Sequence, residues 1–179
     1  MTAPLHLPRG QVRPVVTAPA QVLSTAGGEL DPCDPATIAL CSDLVATMEV
    51  SPGCVGLAAP QIGVIGRAFC VDVTGHPKAR TVHGLIVLVN AELVEATRNE
   101  KGREGCMSVP DFTGDVKRAT RVSVRGQLPI SGEEVMITTD AFEARALQHE
   151  IDHCSGHLFL DRVAGAHAIF PRKVYLPGG

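Results

Sequence analysis

Residues 1–33 show no hydrophobic period. Pro, Ala and Gly dominate there, so the stretch reads as an arm lying over the body, with about residues 1–11 as a flexible end. A helical pattern starts at Asp34-Pro35, an N-cap followed by proline at the first helical position. Ile38, Cys41, Val45 and Met48 then recur at spacings of three and four, and Ser51-Pro52-Gly53 ends the pattern. Residues 68–73 and 85–90 are dense in β-branched and aliphatic side chains and read as buried strands. Val122 and Val124 alternate with polar neighbours, as in a half-exposed strand, and Ser131-Gly132 reads as a hairpin turn into another strand. A second helix opens at Thr139-Asp140, with Asp140 and Glu143 spaced as a capping box and Gly156 as its left-handed stop. Phe142, Ala146, His149 and His153 share one face of it. Strands in the middle and helices towards the ends predict an α+β fold. Its mostly antiparallel sheets would pack around the second helix, in a single domain over residues 1–179.

Composition narrows the function classes. The net charge of −3, the absence of Trp and the single Tyr argue against direct nucleic-acid readout or a base-stacking platform. No apolar run reaches the roughly 18 residues of a membrane span, and the first residues lack the compact apolar core of a secretory signal. The expected location is the cytoplasm. The tail after Asp161 carries no readable pattern.

The chemistry concentrates in His149-Glu150-Ile151-Asp152-His153. Two histidines four apart on a helix differ by about 40° in azimuth and about 6 Å in height, so both rings can reach one metal ion. A glutamate beside the first can take a proton from metal-bound water without being a ligand. Because the pair continues the apolar face of Phe142 and Ala146, both rings should point inward, where they need partners. A catalytic metal usually has a third protein ligand. His157, Asp161 and His167 follow downstream, and six cysteines, with no CxxC pair, lie elsewhere. Cys154 is turned about 100° away from His153. Cys33, Cys41 and Cys70 read as packing. Cys106 stands apart, in Glu104-Gly105-Cys106-Met107-Ser108 after the charged stretch RNEKGRE.

Together CVGLAAPQ at 54–61, EGCMS at 104–108 and QHEIDH at 148–153 resemble, in order and spacing, the three motifs of the peptide deformylases. The resemblance implies Cys106, His149 and His153 as ligands of one divalent metal ion, usually Fe(II), with zinc, nickel or cobalt also able to occupy the site. It implies Glu150 as general acid/base and Gln61 with the Met107 main-chain N–H as stabilisers of the oxyanion. Val55, Gly56 and Gly105 would pair with an extended substrate. The implied reaction removes the N-formyl group from the initiator methionine of new polypeptides and releases formate. The implied partners are formylmethionyl nascent chains and, as a candidate, the ribosome. Arg118 matches a family arginine that pairs with the Asp152 equivalent.

The chain also departs from the pattern. Cys54 replaces the first motif glycine, and a side chain there stands beside the substrate path. Residues 111–115 lack a basic residue that some members use near the peptide exit. Arg145, one turn before His149, reads equally as a substrate contact or a solvated charge. Two other functions compete: a zincin-type protease or amidase that does not need Cys106, and a silent relative whose metal only holds the fold.

Overall fold

The computed structural model describes residues 6–173; the first residues of the expected flexible end and the last residues of the tail lie outside them. The elements are α1 (Pro35–Glu49), β1 (Gly56–Ala58), β2 (Ala68–Val71), β3 (Ile86–Cys106), β4 (Val109–Gln127), β5 (Glu134–Asp140), α2 (Ala141–Cys154) and β6 (Ile169–Pro171). The strands run in the order β1-β2-β3-β4-β5, every pairing antiparallel, and β6 joins the start of β4.

Alternation along the short central strands decides which helix each residue meets. Phe69 and Val71 of β2 and Ile86 and Leu88 of β3 face the layer holding Ala144, Ala146 and Leu147 of α2. Ala68, Cys70, Val87 and Val89 face the opposite layer, with Cys41, Leu44 and Met48 of α1. A smaller cluster of Cys106, Val109, Val116 and Phe159 lies at the other side of α2, under the ends of the long strands. The second helix is therefore enclosed between the main sheet and the far part of the β3–β4 hairpin.

The first helix begins as the sequence predicts: the Asp34 side chain accepts from the Ala36 N–H, and proline follows. Its most buried line runs through Thr37, Cys41, Leu44 and Met48, whereas Ile38 and Val45 are only half-buried. Thr37 is accommodated despite its hydroxyl, which shifts the buried line one position from a purely apolar reading.

Other expectations need correction. The strand expected to end near residue 90 continues to Cys106. It pairs with β4 as a ribbon of exposed and charged residues, which has no hydrophobic period to read. Val122, Ser123 and Val124 are all buried, so β4 is covered on both faces there; Ser123 Oγ meets Thr138 Oγ1 at 2.8 Å. The hairpin into β5 is a loop over residues 128–133, with positive φ at Ile130 and Gly132, rather than a two-residue turn. The Asp140 side chain does not cap α2; it accepts from the Thr81 N–H instead. Glu143 is fully buried and receives Thr139 Oγ1, His83 N and His83 Nδ1, so both members of the expected box serve to fasten the 74–85 loop.

Among the described residues, three backbone hydrogen bonds tie the N-terminal arm to the functional region. Val16 N donates to Gln61 O, Ala18 N to Ser108 O, and Gly27 N to Cys154 O. At the last of these, Gly156 (φ +80°) ends α2, and a β-carbon on it would meet the backbone of Ser24 to Ala26.

Candidate active site

Three elements converge on one point. Cys106 ends β3, immediately before the Met107-Ser108 turn into β4. His149 and His153 come from α2, with ring centroids 4.8 Å apart and planes near perpendicular. Cys106 Sγ lies 3.3 Å from His153 Nε2, which lies 3.2 Å from His149 Nε2. All three donor atoms fall within 4.8 Å of one another. Metal–nitrogen bonds of about 2.0–2.1 Å and metal–sulfur bonds of about 2.3 Å set tetrahedral donors roughly 3.3–3.6 Å apart, so this cage fits one cation and leaves a position open.

The electrostatics agree. Burial opposes a proton on His149, but hydrogen bonds to Cys106 and Glu104 outweigh it and hold its pKa well above the ordinary histidine value. This is a place that draws positive charge. Burial, then the neighbouring His149 and Arg118 charges, keeps His153 neutral, with a lone pair to offer. The cage is backed by a buried ionic network that orients it. Glu104 Oε2 bonds His149 Nδ1 at 3.0 Å, which turns Nε2 inward. The same carboxylate takes Arg118 through both oxygens and Arg145 through one. Arg118 also binds Asp152, which Arg162 holds from the other side. Burial raises the Glu104 and Asp152 pKa values, yet their cationic partners overcome that and hold both below the usual carboxylate range. The Arg118–Asp152 pairing is thus present. Glu104, Arg162 and the buried Ser108 had no role assigned from sequence. The EGCMS spacing named two of them, but spacing carries no information on partners.

Gln61 sits in the single turn Ala59–Ile62 and is 2% exposed. Its Oε1 accepts from Ala58 N, which aims Nε2 at Cys106 Sγ (3.4 Å) and Ser108 Oγ (3.3 Å). Glu150 is buried beside the cage and lines the same pocket. Its Oε2 has no hydrogen-bond partner among the described residues, and burial pushes its pKa up to about 7. Its carboxylate occupies the space a side chain on Gly56 would need: a β-carbon there would lie 2.5 Å from Glu150 Oε1. A pocket of about 330 Å³ opens in front, lined by Val55, Gly56, Gly105, Met107, Phe142 and Ala146 beside the cage. Every residue expected at the site therefore reaches it.

His157, Asp161 and His167 do not join the cage: all three are exposed, and Asp161 accepts from the Leu158 N–H. All six cysteines are free thiols. Cys154 lies in the core, its Sγ near Ala68 O at 3.6 Å. Cys54 lines the pocket, its thiol donating to Gly56 O at 3.1 Å, and burial pushes its pKa up to about 11. Arg145 is neither a solvated charge nor simply a rim residue. Its guanidinium lies over Gly102 and bonds Glu104, Val116 O and Glu100 O. The unpatterned tail contributes Arg172, brought by β6 over Gly105 to bond Cys106 O.

A family model of polypeptide deformylases matches residues 12–168. The peptide deformylase of Halothermothrix orenii is 48% identical over 71% of this chain and 77% of its own length. Peptide deformylase 1 of Bacillus subtilis is 40% identical over 86% of this chain and 91% of its own length. A Met-Ala-Ser-bound class I type b peptide deformylase from Acinetobacter baumannii superposes with a TM-score of 0.77 at 32% identity, covering 85% of this chain and 99% of that one. Identity at this level along most of the chain, on a shared fold and with a cage fit for a cation, supports one assignment: the chain belongs to the peptide deformylase family.

Proposed function

We propose that Cys106, His149 and His153 hold one divalent cation, and that Glu150, Gln61 and Met107 act around it to hydrolyse the N-formyl group from the N-terminal formylmethionine of new polypeptides. The carrying observation is the convergence of one sulfur and two imidazole nitrogens within 4.8 Å, in a pocket also lined by a buried carboxylate whose Oε2 has no partner among the described residues. When bound, the cation supplies Lewis acidity, lowering the pKa of water and polarising the formyl carbonyl.

The remaining work falls to the chain. Glu150 Oε2 takes a proton from the attacking water and returns it to the amine nitrogen as the C–N bond breaks. A carboxyl poised near neutrality suits both transfers. Gln61 Nε2, held by the Ala58 contact, donates to the carbonyl oxygen as negative charge builds there, with the Met107 N–H as second donor. Val55, Gly56 and Gly105 present backbone to an extended peptide in the manner of an added strand. Val55, Phe142 and Ala146 give the methionine side chain an apolar wall.

We take the resident cation to be Fe(II). Zinc, nickel and cobalt are also compatible with one sulfur and two nitrogens. We read the chain as a single catalytic domain working in the cytoplasm on nascent chains, and so beside the ribosome. In support, no helix among the described residues is long and apolar enough to cross a membrane.

The test is formate release from formyl-Met-Ala-Ser by protein purified without oxygen, with metal content measured on the same sample. Turnover that disappears in Glu150→Gln while the metal stays bound supports these roles. Undiminished turnover in that variant, or full metal content in Cys106→Ser, refutes them.

A further inference from the structure

A second and larger cleft, of about 700 Å³, opens beside the active-site pocket and shares Lys78, Arg103, Phe142 and Arg145 with it as a common wall. It is bounded by the exposed part of the β3–β4 ribbon, the 77–80 loop and the first turn of α2. The chain as a whole is acidic, at −3, yet seven of its sixteen Lys and Arg residues line this cleft, against two acidic residues, Glu100 and Asp140. Two of the three cations at the common wall are held in place: Arg103 by Asp115 at 2.7 Å and by the Phe170 ring, Arg145 by Glu104. Further out, Arg80, Arg98 and Arg121 make no ion pair among the described residues. The start of α2 adds the positive end of its helix dipole, and the Asp140 side chain does not cap it.

We propose that this cleft receives the substrate chain downstream of its formylmethionine and selects for acidic residues there. The inference rests on the deformylase reading and adds a substrate class to it. A peptide leaving the pocket past Phe142 and Arg145 enters a walled channel of opposite charge. A nucleic acid is the other polyanion such charge attracts. The lining shared with the catalytic pocket and the three bounding elements favour an extended peptide over a duplex.

The test compares formyl-Met-Ala-Ser extended by three Glu, three Gln or three Lys residues. The Glu peptide should exceed the Lys peptide in kcat/KM by about tenfold at low salt, through KM, and the gap should shrink as salt is added. In the triple variant Arg80→Gln, Arg98→Gln, Arg121→Gln the gap should close, with unextended formyl-Met-Ala-Ser turned over as before, which also shows that the variant folds. Equal kcat/KM for the three extended peptides overturns the proposal, as does a preference that survives in the triple variant. So does inhibition by single-stranded RNA with no effect of peptide charge, which assigns the cleft to nucleic acid. If no peptide is deformylated, the deformylase reading itself fails. Charge selection is then read from the fluorescence anisotropy of labelled Met-Ala-Ser peptides carrying the same extensions. Tighter binding of the Glu form, lost in the triple variant, supports the cleft assignment, and equal binding of the Glu and Lys forms removes it.

Discussion

Gly56→Ala tests whether the position of Glu150, rather than its presence alone, sets the rate. The added β-carbon would stand 2.5 Å from Glu150 Oε1, 3.0 Å from Cδ and 3.1 Å from Cγ. The first contact is shorter by about 0.9 Å than the 3.4 Å at which ordinary contact begins. Cγ and Cδ lie on the axis about which the carboxylate turns, so that rotation leaves their contacts at 3.1 and 3.0 Å in place; the side chain must move. Buried at 4% exposure, it has little room. A displacement near 1 Å of a group transferring protons costs on the order of 10²-fold in rate. Gly56 is not among the positive-φ glycines, so alanine fits its backbone, and the loss of stability should be confined to the overlap itself, about 1–3 kcal/mol. The assay is kcat at saturating formyl-Met-Ala-Ser, with metal content and urea midpoint measured in parallel. A kcat within about threefold of the parent, with metal retained, refutes the claim that Gly56 fixes the carboxylate.

Removing the anchor of His149 by Glu104→Gln should weaken metal binding by about 10–100-fold, measured by chelator competition; unchanged affinity would mean the ring is held without it. The depressed pKa values of Glu104 and Asp152 make the folded state more stable above the ordinary carboxylate range. That stability is lost as pH falls through the lower folded-state values. Urea unfolding from pH 7 downwards should show the loss, and Arg118→Met should flatten the slope; equal slopes would contradict the network. Leu147→Ala, which empties a fully buried position between α2 and the sheet, should cost about 2–5 kcal/mol by the same measurement. A cost under about 1 kcal/mol would show that the layer re-closes.

Much of this protein is local, and local features are visible in sequence. Asp34-Pro35 starts α1 because a cap and a proline act on adjacent residues. The His149 and His153 pair is fixed by helix periodicity alone, so its inward face follows from four-residue spacing and apolar neighbours. Gly156 stops α2 through its own backbone freedom. These needed no knowledge of what lies opposite, and the three motifs reached the correct family because each is a short, contiguous run.

Tertiary structure decided everything that depends on a partner distant in sequence. Cys106 meets His153 across 47 positions, and Glu104 meets His149 across 45, contacts set by how the sheet lays β3 against α2. The charged ribbon gave no strand signal because its hydrogen bonds to a partner strand, rather than a buried face, make it a strand. Asp140 and Glu143 matched a local cap, but the 74–85 loop supplied stronger partners, and tertiary hydrogen bonds prevailed over a helix-end preference. The tail read as patternless, yet β6 pairing carries Arg172 to the mouth of the site. A net charge of −3 concealed a cationic cleft, since a sum over the chain records how many charges there are and folding alone decides where they gather.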